Sequence, residues 1–257
     1  MNSPIIYEFP LNERIRIFIR LEQLFHQFKH HLNSEHLADK RAAMSVLLDI
    51  IAIFKRNDLK SEILKELERQ AGILNKIAQN HDGVDTEKLQ ELLLQLRETS
   101  QKIYATTGKI GNHLIDNDLF QSISQRSSIP GGTCSFDLPE FHFWLLHNDE
   151  QYLHDIQNWS APFVEIGETI DLALGFIRDS SFVTHEIAPA GFFQITLDTN
   201  LPNQLLRVCL EQAQPYFVEI SGGKHRCSIR FMLPSQDYQR AVQCAEDVSF
   251  TLMRCVF

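Results

Sequence analysis

The sequence contains no Gly-x-Gly-x-x-Gly, no Walker A pattern, no His-Glu-x-x-His and no Gly-x-Ser-x-Gly. Those patterns carry dinucleotide binding, phosphate cradling, zinc hydrolysis and serine-nucleophile chemistry, so the common enzyme signatures are missing. The five cysteines (Cys134, Cys209, Cys227, Cys244 and Cys255) are odd in number, scattered and never in a Cys-x-x-Cys pair. That argues against a disulfide framework or a cysteine zinc site and fits a reducing compartment. No apolar run reaches the ~18–20 residues needed to cross a bilayer, so no membrane insertion is expected. The opening MNSPIIYEFPLNER has no basic segment leading into a long apolar stretch, so no signal peptide is expected. Positive charge is also scarce: 24 Lys and Arg face 33 Asp and Glu, a formal net charge of -9. Such a balance counts against bulk nucleic-acid binding but leaves room for a small basic pocket. There is no repeat of 20–50 residues and no low-complexity tract.

What is present is an ordinary globular composition, 44% hydrophobic and 22% charged over 257 residues, enough for one large domain or two small ones. The first two-thirds read as helix. Pro10 and Asn12 mark a start, with Asn12 as the cap, and Ile15, Phe18, Leu21, Phe25, Phe28 and Leu32 then form one apolar stripe. The segment 36–55 is apolar almost all round its second half, which implies burial by its own chain or by a second subunit. Helices follow at 59–79, at 86–104 behind a cap at Asp85, at 112–124, and near 139–159 and 161–178. A loop at 127–133 separates them. Beyond Ser180 the period changes to two. Phe193, Ile195 and Leu197 alternate with polar residues, as do Leu206, Val208 and Leu210, then Tyr216, Val218 and Ile220. The last strand expected runs from 224 to 232, and residues 4–9 form a further strand at the edge of this sheet. The predicted class is α+β: an N-terminal and central all-helical domain, residues 11–180, plus a smaller antiparallel β-strand domain, residues 181–257, joined by the N-terminal strand.

Side chains alternate faces along a strand, so Lys224, Arg226, Ser228 and Arg230 share one face while Cys227, Ile229 and Phe231 share the other. The cations span about 13–14 Å, and residues 221–233 contain no carboxylate. A row of one sign in an acidic protein points to a surface that grips an anion. The opposing reading is that Glu219 or another carboxylate neutralises it across the sheet. Other clusters point to less. Cys134 and His142 offer a nucleophile and a base without a third member, and a cysteine in such an apolar block is expected to be buried. His147, Glu150 and His154, at i, i+3 and i+7, read as a polar helix face sooner than as a metal site. No cofactor is expected. A nucleic-acid adaptor is the alternative function, with the basic strand 224–230 beside Phe192, Phe193 or Phe231 as stacking platforms.

Three blocks resemble the ZapD family of bacterial division proteins. The first is Glu8-Phe9-Pro10-Leu11-Asn12-Glu13, followed by Arg16, Arg20 and Glu22. The second is Ser128-Ile129-Pro130-Gly131-Gly132-Thr133-Cys134-Ser135-Phe136-Asp137-Leu138-Pro139, then His142 and Trp144. The third runs from Ile220 through Lys224, Arg226 and Arg230 to Met232, and Leu64–Gln70 is similar as well. The resemblance implies a cytoplasmic, non-enzymatic homodimer with a helical and a β-strand domain, acting at the mid-cell division site. It would bind the C-terminal tail of the tubulin-like protein FtsZ, cross-link its filaments and stabilise the Z ring. It also implies a basic tail pocket, carried over here to Arg56, Lys224, Arg226 and Arg230, with Arg20, Arg126 and His142.

Overall fold

Asn12 starts the first helix by the chemistry its side chain offers: its Oδ1 accepts the Ile15 N–H at 3.0 Å, one of the donors a helix N-terminus leaves unpaired. In the computed structural model, which describes residues 4–32, 34–80, 86–105, 110–211, 213–223, 225–235 and 240–257, helix α1 then runs over Glu13–Leu32. Its stripe of Ile15, Phe18, Leu21, Phe25 and Phe28 is buried. Helices α2 (Leu37–Arg56), α3 (Leu59–Asn80), α4 (Thr86–Ala105), α5 (Asp118–Arg126), α6 (Pro139–His147) and α7 (Asp149–Asp179) follow. Asp85 and Lys224, both singled out from the sequence, lie outside the described residues.

Helix α2 is covered by its own chain, which decides between the two options its composition left open. Ala43, Met44, Leu47, Ile50, Ile51 and Phe54 are all buried within the protomer. Even Lys40 is buried, at 4% exposure. Its ammonium is compensated by Asp149 Oδ1 at 2.5 Å and the Leu145 carbonyl at 3.2 Å, as a buried charge requires.

The region expected to hold helices near 139–159 and 161–178 breaks elsewhere. The interruption is at Asn148, whose extended backbone ends α6 and whose Oδ1 accepts the Glu150 and Gln151 N–H groups at 2.9 and 3.1 Å. Pro162 lies inside α7. A proline there removes one helical hydrogen bond, but Trp159, Phe163, Ile166 and Ile170 are buried around it and hold the helix continuous.

The strands are β1 (Ile5–Pro10), β2 (Ser181–Ala188), β3 (Phe192–Thr196), β4 (Asn203–Leu210), β5 (Phe217–Gly222), β6 (Arg226–Leu233), β7 (Val242–Gln243) and β8 (Val248–Val256). One sheet has the order β1-β4-β8-β2; the other has β3-β6-β5, with β7 also paired to β6. All these pairings are antiparallel. Val208, Leu210, Phe250 and Leu252 of the first sheet share one core with Val218, Ile229 and Phe231 of the second. The fold is thus α+β, with a helical region and a smaller antiparallel sheet region. Strand β8 extends beyond the last strand expected from the sequence, and it sits inside the first sheet, between β4 and β2.

The chain divides into two compact units, Met1–Phe18 with Ala173–Phe257 and Ile19–Leu172. In the strand unit β1 pairs with β4 from Ile5↔Leu210 to Pro10↔Leu205. Pro10, which has no N–H to give a ladder, stands at the strand's end, where one is least needed. Glu8 fastens this strand. Its carboxylate receives two bonds from Arg178, Nε at 2.9 Å and Nη2 at 2.8 Å, and lies 2.9 Å from Arg207 Nε. Side-chain exposure is only 18–22% across the three groups. Removing the carboxylate leaves two guanidinium groups facing each other with little water. Glu8→Gln is expected to lower stability by about 2 kcal/mol, below the usual loss for a fully buried pair. A denaturant midpoint unchanged from wild type would show that the cluster contributes nothing.

Candidate partner-binding surfaces

The β6 strand separates its two faces as its alternation requires. Cys227, Ile229 and Phe231 are fully buried, while Arg226 and Arg230 are exposed. The turn before the strand depends on Gly222, at φ 143°. A Cβ there would collide with the Arg226 carbonyl oxygen, so a side-chain-free residue lets β5 return as β6. The Gly223 N–H closes the turn by donating to that same carbonyl at 3.1 Å.

Register assigns the neighbours. Arg230 stands opposite Phe192 of β3 and Glu219 of β5, Ser228 opposite Gln194 and Ser221, and Arg226 opposite Thr196. Directly opposed residues share a face. Glu219 is therefore positioned against Arg230 alone, and no ion pair within 4 Å joins them among the described residues. Arg226 faces no carboxylate on either adjoining strand. The neutralisation considered from the sequence is thus confined to one end of the row. The same register disposes of the stacking platform. Phe231 is fully buried and Phe193 packs edge-on against Phe250 at 5.3 Å, so only Phe192, 37% exposed, remains on the basic face.

In the helical unit basic residues gather where α2 ends. Lys55, Arg56 and Lys60, with Asp58, line a cleft of about 440 Å³ floored by Phe54, Leu59 and Ile110. Asn57 turns the chain out of the helix with an extended backbone, and its Nδ2 donates to the Ile53 carbonyl at 2.8 Å. Asp58 is committed to the start of α3: bonds from Ser61 hold its carboxyl below the usual carboxylate range. Three cations therefore gather beside one carboxylate, with Lys60 Nζ itself donating to the Tyr104 carbonyl at 3.2 Å. Lys60 was not visible as a site residue in the sequence; its only signal was its spacing of five from Lys55 across a helix boundary.

The remaining candidates are elsewhere in that unit. Arg20 is exposed on α1. Arg126 pairs with Asp137 at 3.6 Å and so is partly spent on the loop that follows it. Gly132 lets that loop fold tightly, because a Cβ there would lie 2.6 Å from the Arg126 carbonyl oxygen. Arg41, which the sequence did not mark, clasps the loop from α2: Nη1 donates to the Thr133 carbonyl at 3.1 Å and the guanidinium lies 5.3 Å from the Phe141 ring centre. His142 is half-buried on α6, and its Nδ1 meets no partner among the described residues.

Two side expectations change. Cys134 is exposed, not buried, because the turn that uses its carbonyl for the Asp137 and Leu138 N–H groups leaves its side chain outside. His147, Glu150 and His154 do not share one helix face. Asn148 separates them, and His147 stacks instead on Phe143 at 4.3 Å. Among the described residues no group of three or more His, Cys, Asp or Glu is arranged to hold a metal ion, and no helix is long and apolar enough to cross a membrane.

Comparison with known proteins places these surfaces in context. The family model described as "ZapD: Cell division protein" matches residues 19–230. The chain belongs to the ZapD family. It is 46% identical over 256 residues to the cell division protein ZapD of Methylococcus capsulatus, covering 100% of both chains. It is 37% identical over 254 residues to that of Ralstonia nicotianae and 35% over 253 to that of Chromobacterium violaceum, in each case over 98% of this chain and 100% of the relative. The residues carried over from the ZapD resemblance fall in both units: Arg226 and Arg230 in the strand unit, and Arg20, Arg56, Arg126 and His142 in the helical unit. The cleft at Arg56 includes none of the other three.

The thiols of this ZapD family member divide by burial. Desolvation pushes Cys255 up to about 11 and also raises Cys227, and a protonated thiol is a poor nucleophile. Iodoacetamide at neutral pH is expected to alkylate exposed Cys134 first, with Cys227, Cys244 and Cys255 protected until the protein unfolds. Intact-mass and peptide mapping read the order; early labelling of Cys255 would contradict the burial.

Proposed function

We propose that this chain is a non-enzymatic division factor that binds the C-terminal tail of FtsZ, cross-links FtsZ filaments as a homodimer and stabilises the Z ring at mid-cell in the cytoplasm. The observation that carries the reading is the exposed, one-signed face of β6 in an acidic protein whose sequence matches the family from end to end. Arg226 and Arg230 are the central tail contacts, with Lys224 beside them in sequence. Arg56, in its cleft with Lys55 and Lys60, is a second basic surface, and Arg20, Arg126 and His142 are further contacts. In this reading residues 11–180 form the helical domain, and residues 181–257 with strand 4–9 the β-strand domain.

The chemistry suits a flexible acidic or carboxylate-bearing segment. Such a segment loses conformational entropy on binding and so binds modestly for its contact area. Arginine offsets part of that cost, because its planar fork takes a carboxylate with two hydrogen bonds. Two tail sites in a symmetric dimer convert modest single-site affinity into avidity along a filament bearing many tails. A cross-linker of this kind needs neither a nucleophile nor a metal.

Charge reversal separates binding from folding. Arg226→Glu is the cleaner variant, since no carboxylate lies opposite it, whereas Arg230→Glu also sets a like charge against Glu219. Both are expected to abolish co-sedimentation with FtsZ, and Arg226→Glu to leave the thermal melt within about 2 °C of wild type, as for a surface change. Bundling by both variants at low salt would exclude this face as the site.

Salt tests the same point on the unmodified protein. From about 50 to 300 mM the Debye length falls from roughly 14 to 6 Å, so affinity for the tail peptide should drop steadily across that range. A flat response in fluorescence anisotropy would rule out a charge-led contact.

A further inference from the structure

The outer face of the second sheet is not charged from end to end. Because Cys227, Ile229 and Phe231 are buried, β6 presents Arg226, Ser228, Arg230 and Met232 outward in turn. Register lays a row of neighbours across the sheet at each of them. Thr196 stands beside Arg226, and Gln194 and Ser221 flank Ser228. Phe192 and Glu219 flank Arg230, and Phe217 and Gln243 flank Met232. The face therefore changes along its length. It begins with a cation beside a hydroxyl, passes through a neutral polar row, and ends in Phe192, Phe217 and Met232.

Single apolar side chains on a surface need no explanation, but these three are neighbours by register. Phe217 lies directly opposite Met232. Phe192 lies one pair of residues along, on the other side of β6, a diagonal of roughly 7–8 Å from Met232. The alternation of β5, with Val218 buried and Glu219 exposed, turns Phe217 outward. Phe192 is exposed, and Phe217 and Met232 are half-buried. None of the three joins the apolar layer that Ile229 and Phe231 share with the first sheet.

The order of these rows identifies what fits them. Arg226 to Met232 is six strand steps, about 20 Å, the reach of about six extended residues of a ligand. A small anion would use the charged part alone. A single nucleic-acid strand needs aromatic platforms beside its phosphate contacts, and Arg226 has Thr196 there instead. A peptide with carboxylates in one part and aliphatic or aromatic side chains in the next matches every row. Gln194, Ser221 and Ser228 offer amide and hydroxyl groups to its backbone between the two parts. The charge at one end fixes which part of such a peptide lies where.

We propose that Phe192, Phe217 and Met232 form an apolar subsite that reads aliphatic or aromatic side chains of the same FtsZ tail whose acidic groups meet Arg226 and Arg230. This rests on the tail-binding reading and adds a division of labour to it. The arginines attract acidic segments of many sequences, whereas the apolar end discriminates among them.

The test is a cycle of protein and peptide variants read by fluorescence anisotropy on the full chain. One probe is an FtsZ C-terminal tail peptide; the other is the same peptide with its Ile, Leu, Val, Met and Phe residues changed to Ser. Phe217→Thr with Met232→Thr, and separately Phe192→Thr, keep residues that strands accept. Each should weaken the native peptide about fivefold or more. Neither should change the slope of affinity against salt, which Arg226→Glu should flatten. The serine peptide should bind wild type and the threonine variants equally weakly, a coupling that a folding defect would not produce. If Arg226→Glu abolishes binding while the threonine variants bind the native peptide as wild type does, the apolar subsite is overturned and the tail reading stands. Equal loss with both peptides also overturns it, since the effect then does not pass through the tail's apolar side chains. If wild type binds neither peptide, the tail reading falls and the subsite with it. Tighter binding of an oligodeoxythymidine, weakened by Phe192→Thr, would replace the peptide subsite with a nucleic-acid stacking surface.

Discussion

Glu8 is the point at which three distant stretches of chain in the strand unit are held to one geometry. Its carboxylate takes both a bidentate guanidinium from Arg178 near the end of α7 and the Arg207 side chain of β4. A partly buried carboxylate flanked by two arginines is stable only when all three are in place, because each alone would carry an uncompensated charge away from water. The cluster therefore does more than add stability. It makes β1 an obligatory member of a sheet whose other strands come from the far end of the sequence, and it covers the outer edge of β4 that would otherwise present unpaired backbone groups.

On that first sheet rests the second, through one shared apolar layer that includes Phe250, Leu252, Ile229 and Phe231. Burial of Cys227, Ile229 and Phe231 anchors β6 and, because side chains alternate, leaves Arg226, Ser228 and Arg230 facing out. The charged face is thus a direct consequence of the core, and its two arginines are held by a backbone paired on both sides. Such a face can meet a flexible ligand without itself having to be ordered, which is the condition under which a weak charged contact is worth repeating many times along a polymer.

Much of this was legible in the sequence where the determining interaction is local. The Asn12 cap, the buried stripe of α1, the polar and apolar faces of β6 and the strand expected at residues 4–9, observed over Ile5–Pro10, all follow from local sequence pattern or from a side chain bonding its own backbone. The family was legible too, from three blocks spread over the chain. The errors arose where two local rules competed. Pro162 looks like a helix break and Asn148 like an ordinary polar residue. The structure reverses their roles, because buried aromatic packing around Trp159 and Phe163 outweighs one lost hydrogen bond while the Asn148 side chain satisfies two helix N–H groups. The face that His147 would share with Glu150 and His154 in an unbroken helix is lost for the same reason, since α6 ends at His147 and α7 begins at Asp149. Strand β8 went unread because Arg254 and Cys255 interrupt the alternation of Val248, Phe250 and Leu252 near its end.

What the sequence determined by itself is what backbone geometry determines: which residues share a face, where the one-signed row of charge lies, and which enzyme signatures are missing. Tertiary structure decided everything that depends on which distant segment lies opposite. Register set Glu219 against Arg230 and left Arg226 without a carboxylate across the ladder. Packing put Phe193 and Phe231 in the core and Phe192 outside, covered α2 with its own chain, and brought Lys60 beside Arg56. The period of a helix or strand is a property of a few neighbouring residues, whereas register and cover are free-energy choices among many long-range pairings, and no short stretch of sequence contains both partners.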